Sequence, residues 1–302
     1  MVENVAAGRT LFGHPVGLFL LFFAELWERF SYYGMRALLV FYMMKGFLAY
    51  NDDTAYGVYG AYTALVYATP FIGGILADKL LGSRICVIIG GVLMALGHLT
   101  MTLENRFAFF GALSLLIVGN GFFKPNISTI VGSLYPEGSK LRDGGFTIFY
   151  IGINLGAAMS PLLCGYIGET YGWHYGFGLA TLGMLVGLAT FVMPNLVSQL
   201  LIAAAAVAAA LALFVYHPNN LIAIGMNVFV GLALLSAAVV AWIALQRGGL
   251  ERAAGASRNG NASMRSLMLV LGGILLAIPL ICLLVSGFSI LSPDAQPVRV
   301  IQ

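Results

Sequence analysis

Charged residues are scarce in this sequence. Only 9% of its 302 residues are Asp, Glu, Lys or Arg, whereas 60% are hydrophobic, and the mean hydropathy is +0.92. This scarcity excludes a soluble globular domain with an ordinary charged surface. The chain is therefore predicted to be an integral membrane protein. The net charge of +3 does not indicate nucleic-acid binding, because the basic residues are dispersed along the chain.

Several kinds of functional site are also missing. The three cysteines, Cys86, Cys164 and Cys282, lack the paired spacing of a metal site or a disulfide framework, and we expect them to be buried, unpaired thiols. No Ser, His, Cys and Asp side chains are arranged as a recognisable catalytic set, and no phosphate-binding glycine loop with a lysine is present. We therefore expect neither enzymatic activity nor a metal or other cofactor.

Long apolar runs dominate what is present. A bilayer core of about 30 Å is crossed by about 20 helical residues. Open strands cannot satisfy their backbone groups in lipid, and the alternation typical of an outer-membrane barrel is missing, so the runs are predicted to be helices of an all-α polytopic membrane protein. The first helix follows no signal-peptide pattern and is expected in the mature protein. Nine runs are long enough, at about 17–46, 54–77, 85–103, 107–131, 145–167, 175–193, 198–216, 222–245 and 267–290.

The basic residues between these runs predict the orientation. Cytoplasmic loops carry an excess of Lys and Arg. With the N-terminus in the cytoplasm, this side receives Arg9, Lys79, Arg84, Lys140, Arg142, Arg247, Arg252, Arg258 and Arg265, and the other side receives only Lys45, Arg106 and Arg299. The sequence thus predicts a multi-pass protein of the cell inner membrane or plasma membrane, with membrane lipid around it.

The first apolar run contains four charges, Glu25, Glu28, Arg29 and Arg36. Each opposes insertion at the centre of a spanning helix by roughly 2.5 to 3.5 kcal/mol. Positions 25, 28, 29, 32 and 36 share one helix face, and Glu25 and Arg29 form an acid-to-base pair at i, i+4. Intramembrane charges are functional hypotheses by default, so we expect this face to line a polar cavity. The alternative is an ion-pair network that only fixes helix packing.

Further polar side chains lie inside the apolar runs. Lys124 precedes Pro125 in the middle of the fourth run, where a proline favours a kink, and among the spans only Glu25 or Glu28 could be its acidic partner. The cations Arg29, Arg36 and Lys124 outnumber the carboxylates of Glu25 and Glu28, which predicts a site with a net positive charge. Asn154 is suited either to an interhelical hydrogen bond or to ligand contact. The three tyrosines of interest, which are either packing or ligand-binding residues, are Tyr32, Tyr33 and Tyr67.

Four ordered motifs carry a family resemblance. They are Glu-x-x-Glu-Arg-Phe-x-Tyr-Tyr-Gly at 25–34, Gly-Gly-x-Leu-Ala-Asp at 73–78, Phe-Lys-Pro-Asn at 123–126 and Phe-Tyr-x-Gly-Ile-Asn-Leu-Gly at 149–156. In this order they resemble the motifs of the proton-dependent oligopeptide transporters, a family of the major facilitator superfamily. The resemblance covers roughly residues 15–193, the length of that family's N-terminal six-helix bundle.

The resemblance implies a function and a site. It implies proton-coupled symport of di- and tripeptides by alternating access, with protons as the coupling ion and no nucleic acid as partner. Proton coupling falls to Glu25, Glu28 and Arg29, and the polar loop at 74–84 is interpreted as a cytoplasmic gating loop with Asp78, Lys79 and Arg84. The implied peptide-binding residues are Tyr32, Tyr33, Arg36, Tyr67, Lys124 and Asn154.

The sequence departs from the family pattern in its last third, where the aromatic-rich seventh-helix stretch that ends in an acid and a glutamine is missing. We expect a fragment with an incomplete second bundle. The predicted domains are the six-helix bundle 1–193, an additional helix pair 194–246, a cytoplasmic linker 247–266, and a further transmembrane helix and tail 267–302. The alternative functions are a transporter of the same architecture for another small anion or zwitterion, and a non-transporting receptor or assembly subunit.

Overall fold

The structure, a computed structural model, describes residues 10–215, 220–251, 253–257 and 263–290. Apart from a short hairpin of β1 (Thr10–Leu11) and β2 (His14–Pro15), the described residues form helices and their connections. The helices are α1 (Val16–Lys45), α2 (Asp52–Leu76), α3 (Ser83–Met101), α4 (Arg106–Ser133), α5 (Arg142–Ser160), α6 (Tyr166–Tyr171), α7 (Trp173–Val192), α8 (Asn195–Val215), α9 (Leu221–Gln246) and α10 (Met264–Ile290). The all-α prediction is confirmed.

All nine predicted apolar runs are helical. Among the described residues, eight helical segments are long and apolar enough to cross a membrane. Helix α1 is not among the eight because its 30 residues, although long enough, include the intramembrane charges. The predicted bounds agree with the observed ones to within a few residues, and α5 and α6 are joined by a π-helical turn at Pro161–Gly165 into one long segment. The chain is a multi-span membrane protein.

The predicted loop at 74–84 is wrong for most of its length. Helix α2 continues past Leu76 as a π-helical turn at Ala77–Leu81. The chain turns only at Gly82, whose φ of 79° is unfavourable for residues with a Cβ. Gly73 lies within α2, and its missing side chain lets α2 approach the backbone of Gly121 in α4.

The cysteine prediction is confirmed for two of the three thiols. Cys86 and Cys164 are buried free thiols, as predicted, but Cys282 is only partly buried, because it lies on the apolar surface of α10. Of the basic residues used to predict the orientation, Arg9, Arg252, Arg258 and Arg299 lie outside the described residues, as does the tail beyond Ile290. The predicted domain bounds remain a prediction.

The chain divides into two compact units. The first unit comprises the described parts of Met1–Tyr33, Ile127–Leu163 and Leu182–Gly255. In this unit α8 packs along α9, and α9 contacts α5. Part of its core is a cluster in which Leu11, Val16 and Phe19 pack with Ala244.

The β1–β2 hairpin is fixed at two points of the first unit. Arg247 Nη1 donates to the carbonyl oxygen of Thr10 at 2.9 Å. His14 Nδ1 and the Tyr135 hydroxyl are 2.9 Å apart, and burial raises the pKa of Tyr135 to about 12. The β1–β2 hairpin is thereby connected to the end of α9 and to the connection between α4 and α5.

The second unit comprises the described parts of Gly34–Asn126, Cys164–Thr181 and Ala256–Gln302. Its helices approach closely at glycines: a Cβ on Gly90 of α3 would lie 2.6 Å from the carbonyl oxygen of Gly119 in α4. Asn126 Nδ2 donates to the Phe122 carbonyl oxygen at 2.8 Å and to that of Gly73 at 3.4 Å. Small residues and one amide thus hold α2, α3 and α4 together, a packing mode typical of helices in lipid.

Candidate functional site

The charged triad of α1, which comprises Glu25, Glu28 and Arg29, is buried in the first unit. The residues are 2%, 0% and 3% exposed, respectively. Charged side chains are almost never fully buried unless they are paired. The three charged groups can be buried together because they contact one another.

Arg29 binds both carboxylates. Its Nε lies 3.1 Å from Glu25 Oε1, which is the i, i+4 pair predicted from the sequence. Its Nη2 donates to Glu28 Oε1 at 2.7 Å, and its Nε also contacts Glu28 Oε2, so Glu28 is bound through both oxygens. Two-point binding of this kind fixes geometry as well as charge.

At the triad, glycines of α5 and α7 allow these two helices to pack closely against the backbone of α1. A Cβ on Gly156 of α5 would overlap the carbonyl oxygen of Leu26 and lie 3.1 Å from Arg29 Cβ. A Cβ on Gly187 of α7 would lie 2.9 Å from the carbonyl oxygen of Ala24. Gly156 belongs to the fourth motif of the sequence, which therefore packs directly beside the first motif.

Two tyrosines continue the polar face of α1. The Arg29 guanidinium carbon lies 5.0 Å from the ring centroid of Tyr32, within the range of a cation–π contact. The rings of Tyr32 and Tyr33 meet edge to face with centroids 5.2 Å apart. Tyr32 is 4% exposed and Tyr33 is half-buried. Tyr33 is thus the more accessible of the two.

Asn154 of α5 is exposed, although Gly152 and Gly156 on either side of it are buried against α1. Its amide therefore does not belong to the face of α5 that packs on α1. The two alternatives left open by the sequence, an interhelical hydrogen bond and ligand contact, both remain predictions.

Arg36 lies in the second unit and contacts Tyr59 of α2. Its Nε is 2.5 Å from the Tyr59 hydroxyl, and its guanidinium carbon is 5.4 Å from the ring centroid. Sequence reasoning missed Tyr59. The available signal was its spacing of eight residues from Tyr67, which places both tyrosines on the same face of α2.

Lys124 and Tyr67 also meet in the second unit. Lys124 Nζ lies 5.2 Å from the ring centroid of Tyr67, a cation–π distance. Lys124 is half-buried, whereas Tyr67 is 61% exposed. The predicted ion pair of Lys124 with Glu25 or Glu28 would join the two units, and it remains a prediction, as does the net positive charge of the site.

The three residues of the predicted gating loop lie at the end of α2 and the start of α3. Asp78 and Lys79 are exposed on the π-helical turn, and Arg84 is half-buried in the first turn of α3. They are close in sequence but are separated by the turn at Gly82. No group of three or more His, Cys, Asp and Glu side chains in the described ranges could hold a metal ion.

Known proteins resemble the chain in sequence and in structure. A model of the POT family matches residues 83–199. A peptide transporter of Yersinia enterocolitica is 44% identical over 195 residues, which are 62% of this chain and 38% of that protein. A di-/tripeptide transporter of Lactococcus lactis is 44% identical over 187 residues, which are 60% and 38% of the two chains. The chain thus spans well under two thirds of the length of these relatives.

A crystal structure of the peptide transporter POT in complex with sulfate has the same fold. It is 35% identical, with a TM-score of 0.64, and the match covers 92% of this chain and 48% of that one. The likeness therefore extends beyond the residues that the family model matches. The chain thus resembles the POT family in sequence over residues 83–199 and resembles a POT peptide transporter in fold.

Proposed function

We propose that this chain forms part of a proton-coupled symporter of di- and tripeptides that works by alternating access. The observation that carries the proposal is the buried triad of α1, in which two carboxylates contact one guanidinium. The names of the relatives, a peptide transporter and a di-/tripeptide transporter, support the same substrate class.

The charge balance of the triad makes it a proton acceptor. With both carboxylates ionised, the three groups carry a formal charge of −1, and one bound proton leaves a neutral ion pair of Arg29 with one glutamate. Unbalanced charge is unfavourable in a buried environment, so protonation changes how strongly Arg29 is bound. A conformational step that prefers one of the two protonation states is thereby coupled to the proton gradient.

The second unit supplies groups that suit a peptide. A dipeptide is a zwitterion whose carboxylate can bind to a guanidinium or an ammonium group. Arg36 and Lys124 each lie against a tyrosine ring and are half-buried, and their charge is of the sign that binds a carboxylate. We assign peptide binding in this unit to these two cations with Tyr67, and the roles of Tyr32, Tyr33 and Asn154 of the first unit remain predictions. A bound proton removes one negative charge, which favours the binding of a carboxylate. Because coupling is reciprocal, the peptide should favour proton binding by the same factor.

The test is Glu28→Gln in a complete transporter that contains this chain. Glutamine keeps the shape and most hydrogen bonding of the side chain but cannot cycle a proton. We expect loss of dipeptide accumulation driven by a proton gradient, with exchange of labelled for unlabelled dipeptide retained. Glu25→Gln should have the same phenotype. Uptake into proteoliposomes with and without an imposed gradient measures both activities.

Glu169→Gln is the matched control, because Glu169 is exposed on α6 and should leave both activities unchanged. Undiminished accumulation in both glutamine variants of the triad would reduce Glu25 and Glu28 to structural ion pairs. Uptake of another small anion or zwitterion in place of dipeptides would support the alternative transporter. Binding without any transport would support the receptor or assembly subunit.

The proposed location is the inner or plasma membrane with a cytoplasmic N-terminus. The balance of basic residues supports it, since Lys79, Arg84, Arg142, Arg247 and Arg265 all fall on the predicted cytoplasmic side. A cysteine introduced at Lys79, in a background in which Cys282 is replaced by serine, should react with impermeant reagents only from the cytoplasm. Labelling from the outside of intact cells would reverse the orientation.

A further inference from the structure

A cavity lies between α2, α4 and α10, entirely within the second unit. Its volume is about 410 Å³, and it is bounded by residues that include Thr69, Leu80, Gly121, Leu269 and Gly273. This volume falls within the roughly 300–1,000 Å³ of small-molecule sites in proteins. None of the residues assigned above to the triad or to peptide binding lines it.

The walls of this cavity offer almost nothing polar. The one hydroxyl among the lining side chains belongs to Thr69, and its Oγ1 lies 3.0 Å from the carbonyl oxygens of Leu65 and Ile117. The hydroxyl hydrogen is therefore already used within the protein. A peptide, a nucleotide or any other ligand with several polar groups would lose its hydration without replacement there, so the cavity favours a hydrocarbon.

Glycines shape the cavity on two sides. A Cβ on Gly121 would meet Thr69 Cβ at 2.7 Å, so α2 and α4 close the cavity floor by backbone contact. On the opposite wall, a Cβ on Gly273 of α10 would meet nothing within 4 Å. The rim residues Ile72 and Leu269 are 57% and 62% exposed. The cavity is thus open at an apolar rim, as expected for a site that is reached from lipid.

One end of this cavity is basic. Helix α10 contacts the π-helical turn that carries Lys79, and Gly82 lies against the backbone of Ser257, in the segment before α10. The first turn of α10 carries Arg265, one helical turn before the lining residue Leu269, and Lys79 directly precedes the lining residue Leu80. Asp78 lies beside Lys79 on the same π-helical turn, and Arg84 follows in the first turn of α3.

We propose that this cavity binds an acyl chain of an anionic phospholipid, whose phosphate is bound by Lys79 and Arg265. Both side chains are exposed at the basic end and can reach a headgroup at the membrane surface. Basic pockets between transmembrane helices are typical sites for anionic headgroups. A helix of a second copy of this chain is excluded as the occupant, because a helix about 10 Å in diameter does not enter a cavity of this volume.

The test uses the purified 302-residue chain in detergent, with phosphatidylglycerol or phosphatidylcholine of matched chain length added. Bound lipid is counted by native mass spectrometry, and the midpoint of thermal unfolding is recorded at each lipid concentration. We expect phosphatidylglycerol to bind more tightly than phosphatidylcholine and to raise the midpoint. Inorganic phosphate alone should do neither, because the acyl chain supplies the contact with the cavity.

Gly273→Leu fills the cavity and should weaken phosphatidylglycerol binding at least tenfold. Gly272→Leu is the matched control: the same change on the same helix, also with nothing within 4 Å of the added Cβ, but at a residue that does not line the cavity. It should bind lipid as the unchanged chain does. If Gly273→Leu lowers the midpoint without lipid, Ala277→Ile, a smaller intrusion at another lining residue, replaces it.

The charge variant Lys79→Gln with Arg265→Gln should reduce the preference for phosphatidylglycerol over phosphatidylcholine roughly thirtyfold, at the strength typical of two basic side chains beside an anionic headgroup. Its phosphatidylcholine binding should persist. Equal lipid binding by the Gly273→Leu and Gly272→Leu variants would overturn the proposal. So would an unchanged lipid preference in the charge variant, or a response to phosphate alone.

Discussion

The triad of α1 and the α8–α9 hairpin lie in the same unit but are stabilised by different means. The triad concentrates three charges within two helical turns, and its members bind one another. The α8–α9 hairpin contains no Asp, Glu, Lys or Arg in either helix. Its helices are joined by packing and by side-chain amides, with Gln199 Nε2 donating to the Trp242 carbonyl oxygen and Asn195 Nδ2 to that of Leu245, both at 3.2 Å.

The difference distinguishes the charges of α1, which we propose serve transport, from the contacts that only hold α8 and α9 together. An amide that donates to a neighbouring helix is enough to align two helices in lipid. A buried ion triad is not needed for that purpose, and apolar residues of similar volume often replace buried ion pairs without loss of stability. The contrast supports our proposal that the charges of α1 serve proton coupling, whereas α8 and α9 are held together by packing and by side-chain amides.

The largest expected effect comes from Arg29→Ala. This change leaves two buried carboxylates without the cation that contacts them both, and losing one partner of a buried pair destabilises a protein by about 3–5 kcal/mol. We expect a much lower midpoint of thermal unfolding in detergent and no uptake by a complete transporter.

A neutral triad is the control for Arg29→Ala. The triple variant Glu25→Gln, Glu28→Gln and Arg29→Met buries no charge at these positions and should recover most of the stability, but no accumulation of dipeptide. If Arg29→Ala alone unfolds at the same temperature as the unchanged protein, the contacts of Arg29 with the two glutamates do not stabilise the fold. The contrast between the triad and the α8–α9 hairpin then disappears.

An intermediate effect is expected at the glycine that packs on the triad. Gly156→Ala places a Cβ against the backbone of Leu26 and forces α5 away from α1, which should lower stability by about 1–3 kcal/mol. Gly225→Ala on α9 adds the same methyl group where nothing lies within 4 Å, and it should leave stability unchanged or slightly higher. The midpoints of thermal unfolding of the two variants, measured side by side, show whether each change raises or lowers stability. A Gly156→Ala variant as stable as the unchanged protein would refute the close approach of α5 to α1.

The smallest effect is expected in the α8–α9 hairpin. Gln199→Leu removes one interhelical hydrogen bond, and such bonds contribute about 0.6 kcal/mol on average in membrane proteins. Dipeptide uptake should not change. Ser236→Ala removes a hydroxyl that donates to Leu232 of its own helix and serves as the control. Loss of uptake in Gln199→Leu, with stability retained, would give the α8–α9 hairpin a role in transport and remove its contrast with the triad.

Much of the fold could be predicted because it depends on composition and length. The nine apolar runs predict nine long helical segments, and the i, i+4 pair of Glu25 and Arg29 follows from helix geometry. The contact of Glu28 with Arg29 could not be predicted in the same way, since neighbours at i, i+1 do not normally face each other on a helix. Both side chains are long enough to bend toward each other, and burial favours their contact because an isolated charge is costly there.

The remaining misses concern contacts between segments. Tyr59 could not be assigned to Arg36 from sequence, because that contact depends on how α1 and α2 approach in the second unit. The helical continuation through Ala77–Leu81 was missed for a related reason. The polar residues Asp78, Lys79 and Arg84 suggest a loop, but the backbone stays helical to Leu81 and turns only at Gly82.

The pairing within the triad has a consequence during synthesis. The ion pairs of Arg29 with both carboxylates are formed by residues of one helix, within two turns, so they can form before any later segment exists. A helix that pairs its own charges can leave the ribosome and enter the bilayer before α2 or α5 has been made. Each charge left unpaired would oppose that step by roughly 2.5 to 3.5 kcal/mol. The positions of these residues along α1 thus allow α1 to insert into the membrane before the later helices, which then pack around it.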